Sequence, residues 1–306
     1  MKSELKPNSA FRTLDVFDSG ILHGEFPQMN LFQMSPGAFE GWVFSAQMEN
    51  CKITAGSFNQ EVLVEGHYNP DTFHVGFILS PGHSAVVQAH EYDNGTLTIH
   101  RNAIVMHEVF PAKMAWVDIA IPEKKVPEKL PDFITKRIAD RSRIFLTGSR
   151  ETLAPIIEWV NGFVDSPDQS PLESELQAIV TQLLADRLDY HEEEQQFTRG
   201  DRFRMHLIKV THELVQSRDC SLSLSEICEV SGMKPRTVQK YFNEIYGMGP
   251  TEYFRTRRLN RARSDLQNGL GSVSDVAFRW GFNHLGRFSG RYKTHFCESP
   301  KTTLTG

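Results

Sequence analysis

The pattern of hydrophobic and polar positions repeats itself near the carboxyl end of this 306-residue chain. Two segments, 224–250 and 273–300, each carry apolar residues at helical spacing that are interrupted by a glycine and closed by a proline. Gly232 and Gly281 are 49 residues apart, but Pro250 and Pro300 are 50 apart, so the second turn contains one extra residue. Two short helices around a sharp turn, present twice, predict two helix-turn-helix modules on one chain.

The residue types within each module predict where its helices begin and end. Ser225 and Ser274 are the predicted N-caps, because a hydroxyl can accept from the free amides of the first turn. Gly232 and Gly281 are predicted to end the first helix in a positive-φ conformation. The residues predicted to face the small cores are Ile227, Cys228, Val230, Met233, Val238, Phe242 and Ile245 in the first module, and Val276, Ala277, Trp280, Phe282, Phe288, Tyr292 and Phe296 in the second.

The second helix of each module is the predicted reading helix. Its outward positions are Arg236, Thr237, Gln239, Lys240 and Asn243 in the first module, and Asn283, His284, Arg287, Gly290, Arg291 and Thr294 in the second. Arg and Lys pair with guanine and Gln pairs with adenine, so Arg236, Gln239 and Lys240 are the first candidates for base contact. We expect the two helices to enter successive major grooves about one helical turn, roughly 34 Å, apart.

Five short stretches in the last third of the chain form a specific pattern. They are Gly-Met at 232–233, GMGP at 247–250, the basic run RTRRLNRAR at 255–263, VAFRWGF at 276–282 and ESP at 298–300. This pattern resembles the DNA-binding domain of the AraC/XylS family of bacterial transcription regulators. The resemblance implies a helix that joins the two modules, which 251–267 fits. It also implies promoter DNA and RNA polymerase as partners, and activation more often than repression.

Two positions depart from the family pattern. Gly290 stands where the second reading helix usually has a basic residue, which calls base reading by this module into question. Cys297 stands where a glycine usually precedes the closing Ser-Pro, which predicts a locally altered turn.

Charge divides the chain into two parts. Residues 201–306 carry a net charge of +7 and residues 1–200 carry −12, so the overall −5 hides a basic carboxyl-terminal part. This asymmetry predicts a nucleic-acid-binding domain attached to a domain that avoids DNA. Between the modules lie Arg255, Arg257, Arg258, Arg261 and Arg263. We predict phosphate contact, with Arg257 as the named candidate, or packing between modules; simple solvation of an exposed helix is the alternative.

Residues 1–125 predict a mostly β domain. Short apolar runs alternate with turn residues; the runs are 41–44, 51–53, 61–64, 73–79, 85–87, 96–99 and 116–119. Many short, evenly spaced strands are typical of an antiparallel sandwich or barrel, and Asn94-Gly95 predicts a hairpin. The layout resembles the cupin-like, jelly-roll sensor domain that family members place before the DNA-binding domain. The predicted fold class is therefore α+β with two domains, of which the carboxyl-terminal one is all-α.

The β domain is also the predicted place for a small effector, because barrel mouths commonly bind ligands. The candidate lining residues are Trp42, Phe44, Phe73, His74, Phe77 and Trp116, and for each of them an ordinary core position is the alternative. Six histidines lie between residues 67 and 107, but no His-x-His pair occurs. We therefore predict no metal site, no cofactor and no enzymatic activity.

Residues 126–196 are predicted to be helical dimerisation and linker segments. The segment 171–190 is amphipathic, with an apolar face of Leu176, Ile179, Val180, Leu183, Leu184 and Leu188. By analogy with related regulators this face predicts a homodimer; packing on the chain's own β domain is equally compatible. The acidic segment 191–196 is the predicted linker, and the DNA-binding domain, 197–306, begins with a helix at 201–216.

The remaining features limit the class of protein. Four cysteines are scattered without CxxC spacing, no apolar run approaches the 18 residues of a membrane helix, and the amino terminus lacks an apolar signal core. We therefore expect a cytoplasmic, sequence-specific transcription regulator whose β domain senses a small molecule or dimerises. Control by a protein partner, or a cupin-type enzyme fused to a DNA-binding domain, are the alternative functions.

Overall fold

In the computed structural model, strands form the first part of the chain and helices the last part. The structure describes residues 11–16, 29–47, 51–67, 71–80, 84–87, 90–93, 96–101, 105–125, 143–147, 154–155, 158–159, 199–218 and 222–305. In chain order the strands are β1 Phe11–Val16, β2 Met29–Gln33, β3 Gly41–Gln47, β4 Lys52–Phe58, β5 Val62–His67, β6 Thr72–Ile78, β7 Ser84–Val87, β8 His90–Asp93, β9 Thr96–Arg101, β10 Val105–Phe110, β11 Ala115–Pro122 and β12 Arg143–Thr147.

The strands form two antiparallel sheets with a shared core. The larger sheet has the order β1-β3-β4-β11-β6-β9-β12 and the smaller one β2-β5-β10-β7-β8. Val43 and Phe58 of the larger sheet belong to the same buried cluster as Val64 and Phe110 of the smaller sheet. The prediction of a mostly β domain built from short antiparallel strands is therefore confirmed. Each predicted apolar run overlaps a strand, whereas β1, β2, β8, β10 and β12 were not predicted.

Two details of the β domain differ from the sequence prediction. The prediction of a hairpin at Asn94-Gly95 is wrong, because the strands on either side of it belong to different sheets. Strand β8 pairs with β7 in the smaller sheet, and β9 pairs with β6 and β12 in the larger one. The β domain also does not end at residue 125, since β12 at Arg143–Thr147 completes the larger sheet. Residues 154–155 and 158–159 are helical, and the predicted amphipathic segment 171–190 and linker 191–196 lie outside the described residues.

Seven helices follow in the described part of the carboxyl-terminal region. They are α1 Arg199–Arg218, α2 Leu224–Ser231, α3 Pro235–Tyr246, α4 Pro250–Gln267, α5 Val273–Arg279, α6 Leu285–Phe296 and α7 Pro300–Thr305. The pairs α2/α3 and α5/α6 are the two predicted modules, and α4 is the predicted connecting helix. Tyr253 of α4 packs in the core of the first module and Leu259 in that of the second, so α4 fixes one module relative to the other.

The N-cap of the first helix in each module lies two residues before the predicted cap. Ser223 and Ser272, not Ser225 and Ser274, are the N-caps, and Glu226 and Asp275 at the third helical position bond back to them. This reciprocal arrangement is the capping box, which satisfies two otherwise free amides. Hydrogen bonds to Ser272 lower the pKa of Asp275 from its ordinary value. Gly232 and Gly281 have φ of +67° and +73°, as predicted.

The helical domain packs on the outer face of the smaller sheet. Phe32, Leu63 and Val109 on this face belong to the same buried cluster as Phe242 and Tyr246 of the first module. Val230, which was predicted to face the core, is instead exposed. The shared apolar cluster means that the β domain completes the core of the first module.

Gln33, at the end of β2, bonds to both parts of the helical domain. Its backbone amide donates to Asn260 Oδ1 at 2.8 Å, and its carbonyl accepts from Asn260 Nδ2 at 2.9 Å. The same carbonyl lies 3.0 Å from His295 Nε2, and the amide of Gly37 donates to the His295 carbonyl at 2.9 Å. Burial lowers the pKa of His295, so the ring is held in its neutral form. The β2 strand and the loop after it therefore contact the connecting helix and the second reading helix together.

Candidate nucleic-acid interface

Helix α3 separates an apolar face from a polar one. Val238, Phe242 and Ile245 are buried, in agreement with the sequence prediction. On the other side Arg236, Gln239, Lys240 and Asn243 are exposed, and Thr237 is half-buried. Pro235 occupies the first turn, where its fixed φ suits a helix start and its missing N–H costs no bond. The first reading helix is thus held by its core and presents its polar side to solvent.

Helix α6 repeats this arrangement. Phe288, Tyr292 and Phe296 are buried, as predicted. The predicted DNA-facing residues Asn283, His284, Arg287, Gly290 and Arg291 are exposed. Between Gly281 and the start of α6 the chain has one residue more than between Gly232 and the start of α3, which confirms the extra residue in the second turn.

The arginines of the two reading helices are free to bind an external anion. Within the described residues, no carboxylate lies within ion-pair distance of Arg236, Arg287 or Arg291. Lys240 has a loose contact, with its Nζ 3.6 Å from Glu244 Oε1 on the same exposed surface. Exposed pairs of this kind contribute little and are readily exchanged for a phosphate. The outward side chains therefore have the charge and the freedom that contact with DNA requires.

The amino ends of the two reading helices are also positive. Neither α3 nor α6 has an acidic residue in its first turn or a side-chain hydrogen bond at its N-cap, which is Lys234 or His284. By contrast, α2 and α5 are capped by Ser223 and Ser272 with acidic partners. A helix start without an acidic cap leaves amides and the positive end of the helix dipole available to phosphate.

The connecting helix adds positive charge beside α6. Burial and the neighbouring charges of Arg291 and Arg258 lower the pKa of Arg255. Arg255 forms an ion pair with Glu252 on its own helix. The arginines of α4 and α6 therefore approach one another closely enough to raise the local positive potential, which favours phosphate binding.

The structure contradicts the predicted phosphate contact of Arg257. This residue was the named phosphate candidate, but its side chain is 0% exposed and its guanidinium forms an ion pair with Glu65, Nη1 lying 2.6 Å from Oε1. It also stacks 3.7 Å above the centre of the Phe32 ring. In this conformation Arg257 cannot reach DNA, because the smaller sheet covers it. It binds the connecting helix to the β domain.

Other arginines of the connecting helix are also engaged inside the protein. Arg263 pairs with Glu298 at 3.0 Å, Arg258 lies over the ring of Phe282, and Arg261 over that of Phe32. Arg258 and Arg263 thus pack against the second module, whereas Arg261 packs against the β domain. The basic run at 255–263 therefore mainly makes contacts within the protein that hold α4 against its neighbours.

Cys297 ends α6 in the conformation that Gly247 adopts at the end of α3. The two residues have φ of +59° and +64°, and each donates its amide to the carbonyl four residues before it. The predicted altered turn is therefore wrong: the backbone is the same, and cysteine adopts the left-handed conformation in place of glycine.

Replacing Cys297 with glycine will raise the free energy of unfolding by roughly 1 kcal/mol, because a side chain in the left-handed region is strained. Gly247→Ala is the matched control and should lower the free energy of unfolding by a similar amount, because it places a side chain in the same left-handed conformation. The added Cβ would contact nothing within 4 Å, so no steric clash contributes to the loss. Denaturant unfolding of both variants measures the two effects. Equal stability of Cys297→Gly and the parent protein would contradict the assigned strain.

Gly290 lies on the exposed face of α6, and a Cβ added there would have no neighbour within 4 Å. Gly290→Lys should strengthen binding to all DNA sequences and steepen the fall of log K with log salt by about 0.9, because it adds one phosphate contact. Titrations at several salt concentrations measure this slope. Leu270→Lys adds the same charge outside the reading helices, so an identical slope for both variants would contradict the placement of Gly290 at the DNA surface.

Leu285 is a residue of this surface that the sequence analysis missed. It occupies the first position of α6 and is 39% exposed, beside the predicted contact residues His284 and Arg287. An apolar residue outside the predicted core pattern was the available signal. An exposed leucine at the start of a reading helix can contact the methyl group of thymine.

The predicted effector-binding residues do not line one site. The strand register places Trp42, Phe44, Phe73 and Phe77 on one face of the larger sheet, and His74 and Trp116 on the opposite face. Phe44, Phe73 and Phe77 are buried, which fits the core alternative. His74 is also buried, with its nitrogens 2.6 Å from Thr72 Oγ1 and 3.0 Å from Asp118 Oδ2.

A cleft of about 390 Å³ lies at the edge of the β domain. It is lined by Glu40, Gly41, Trp42, Ser57, Phe58, Asn59 and Lys113, so Trp42 is the one predicted effector residue that lines it. Glu40 belongs to the segment after β2, whose Gly37 contacts His295 of α6. The cleft therefore adjoins the segment that joins the β domain to the second module.

No helix in the described residues is both long enough and apolar enough to cross a membrane.

Comparison with protein families matches residues 227–306 to a helix-turn-helix domain family. The XylDLEGF operon transcriptional activator 2 of Pseudomonas putida is 38% identical over 88 residues, which are 28% of this chain and 56% of that protein. The transcriptional activator AarP of Providencia stuartii is 35% identical over 79 residues, 26% of this chain and 58% of that protein.

Similar solved structures cover more of the chain at lower identity. The AraC-like transcriptional activator CuxR is 13% identical with a TM-score of 0.41, over 83% of this chain and 96% of that one. ToxT of Vibrio cholerae is 14% identical with a TM-score of 0.31, over 91% of this chain and 97% of that one. The chain spans about half the length of the first curated relative and about a quarter of the next, at 27%. The carboxyl-terminal domain, with two helix-turn-helix modules joined by α4, is thus a helix-turn-helix domain similar to those of these transcriptional activators, in agreement with its resemblance to the AraC/XylS family.

Proposed function

We propose that the protein is a sequence-specific transcription activator that binds double-stranded DNA through α3 and α6. The observation that carries this proposal is the pair of helix-turn-helix modules whose reading helices expose Arg236, Arg287 and Arg291, none of which has a carboxylate partner among the described residues. Both relatives reported above are named as transcriptional activators. This function places the protein with the DNA, in the cytoplasm, and makes RNA polymerase its expected partner.

The reading helices stay exposed while the helical domain is packed on the β domain. Arg236, Gln239 and Arg287 lie on the surface even though Arg257, Asn260 and His295 of the same domain are buried against β2 and β5. The packed arrangement is therefore compatible with DNA binding, and we expect the full chain to bind without first releasing its β domain.

Selection from a random duplex library with the full chain tests this function. We expect a motif with two blocks whose centres are about 10 base pairs apart, and an affinity that falls steeply with salt. The double variant Arg236→Ala and Arg287→Ala should lose the selected motif. The matched double variant Lys209→Ala and Lys301→Ala loses the same charge outside the reading helices and should keep it. Failure of the intact protein to enrich any motif would reject the proposal.

We also propose that a small effector binds the cleft beside Trp42. The cleft adjoins the segment after β2, through which an effector could act on α6. A ligand that binds only the folded state raises the melting temperature, so a thermal-shift screen of metabolites with the full chain can find it. Trp42→Ala should abolish that shift. If no metabolite stabilises the protein, control by a protein partner becomes the better proposal.

The homodimer remains a prediction, because the amphipathic segment 171–190 lies outside the described residues. Sedimentation of the full chain measures it directly. A monomer at micromolar concentration would contradict the dimer and favour packing of that segment on its own β domain.

A further inference from the structure

Three side chains with metal-binding atoms meet where the helical domain contacts the smaller sheet. Glu65 lies on β5, His107 on the neighbouring strand β10, and His212 on α1 of the helical domain. Their potential ligand atoms all lie within 4.8 Å of one another. Glu65 Oε1 is 3.0 Å from His107 Nδ1 and 4.0 Å from His212 Nδ1. The helical domain thus contributes one of the three side chains, and the smaller sheet of the β domain contributes the other two.

The three atoms are buried, and His212 Nδ1 has no hydrogen bond within the described residues. Glu65 Oε1 lies 2.6 Å from Arg257 Nη1 and 3.0 Å from His107 Nδ1, but neither contact has the geometry of a regular hydrogen bond, and the side chains of Glu65 and His107 are each 3% exposed. A buried polar atom without a partner is costly, so such atoms normally face an ion, a water or a strained contact. A shared proton could satisfy Glu65 and His107 at 3.0 Å but would leave His212 Nδ1 unsatisfied, whereas one cation can satisfy all three.

We propose that Glu65, His107 and His212 form a binding site for a divalent transition metal, with zinc as the best-fitting ion, that joins the β domain to the helical domain. Two imidazoles and one carboxylate suit zinc and the neighbouring transition metals, and they are poor ligands for calcium or magnesium. The spacing of the three atoms is close to that of ligands around one small cation. The site lies outside the DNA-binding surface and is independent of the proposed transcriptional function.

The surroundings hold the ligands in place. The Nε2 atom of His107 lies 2.7 Å from the hydroxyl of Tyr246, which leaves Nδ1 facing Glu65. Arg257 donates through Nη2 to Glu65 Oε2 at 2.7 Å and so orients the carboxylate. Hydrogen bonds to the far side of a ligand are the usual second layer of a metal site. The guanidinium also places Nη1 2.6 Å from Oε1, so the metal must compete with that contact.

Zinc titration of the full chain tests the site. The protein carries Cys297→Gly throughout, which removes the exposed thiol, and is stripped of metal before competition against a chromophoric chelator. We expect one bound equivalent of Zn²⁺, a visible absorption band when Co²⁺ takes its place, and a rise in melting temperature with added Zn²⁺. His107→Gln and His212→Gln should each weaken binding by at least about tenfold and abolish that rise.

Two control variants separate this site from general histidine binding. His206→Gln changes an exposed ring on the same helix as His212, and His67→Gln changes an exposed ring on the same strand as Glu65. Both should keep the parent affinity. His212 is only partly buried, so His212→Gln keeps the test decisive if His107→Gln fails to fold. A protein that binds no zinc in competition, or a His212→Gln variant with unchanged affinity, would overturn the proposal.

Discussion

Replacing Arg257 with methionine will lower the free energy of unfolding of the full chain by about 3–5 kcal/mol. The guanidinium is fully buried, forms an ion pair with Glu65 and stacks on Phe32. Methionine keeps much of the volume but leaves the Glu65 carboxylate in the protein interior without its cation. The cost comes from that uncompensated charge, not from the attraction alone. Denaturant unfolding measures it.

Two further variants identify the cause of this loss. Arg287→Met removes an exposed arginine and should change stability by less than about 0.5 kcal/mol. Adding Glu65→Leu to Arg257→Met removes both charges and should recover most of the lost stability, because no buried charge is then left alone. A loss below about 1 kcal/mol for Arg257→Met, or no recovery in the double variant, would contradict the role assigned to this ion pair.

The contribution of Glu65 also has a defined pH dependence. Because its pKa is lower in the folded protein than its ordinary value of 4.5, the folded state favours the ionised form. The stabilisation is therefore fully present above about pH 4.5 and is lost as the pH falls through the lower folded-state value. In Arg257→Met the carboxylate lacks this cation, so its pKa in the folded variant is higher than in the parent. The stability difference between the two proteins should therefore be largest at neutral pH and should shrink as the pH falls and Glu65 of the variant takes up a proton.

The same variant distinguishes the buried role of Arg257 from the phosphate contact that the sequence suggested. A phosphate-binding arginine contributes about 0.9 to the slope of log K against log salt. Since Arg257 is covered by the smaller sheet, Arg257→Met should leave that slope unchanged wherever the protein remains folded. The prediction failed because Glu65 lies 192 positions away in the chain, and no local pattern indicates such a partner.

The reading helices could be predicted because their information is local. In α3 and α6 the buried residues recur at helical spacing, so the exposed polar face followed from the sequence alone. The N-caps were missed although a signal was present: Ser223 with Glu226, and Ser272 with Asp275, have the spacing of a capping box. Ser225 and Ser274 also fit a cap by residue type, and only the distance to the acidic residue separates the two choices.

The β domain shows that the alternation of apolar and polar residues does not reveal every strand. Strand β10 was missed because His107 and Glu108 are both buried, one on each face of the smaller sheet, and this hides the apolar alternation. The sequence likewise does not show that β8 and β9 belong to different sheets, because sheet membership depends on pairing with other strands. The Glu65, His107 and His212 group could not be predicted, because packing between two domains brings its three members together.

Replacing Arg236 with alanine will weaken binding to the selected DNA motif by about 1–3 kcal/mol, or roughly 5- to 150-fold, and will relax the preference at one base pair. Arg236 is exposed at the start of α3 and has no carboxylate partner within the described residues, so its fork of donors is available to a guanine. Repeating the library selection with Arg236→Ala measures both effects. A variant that binds less tightly but keeps the same sequence preference would make Arg236 a phosphate contact, and base reading would then fall to Gln239 and Lys240 on the same exposed face.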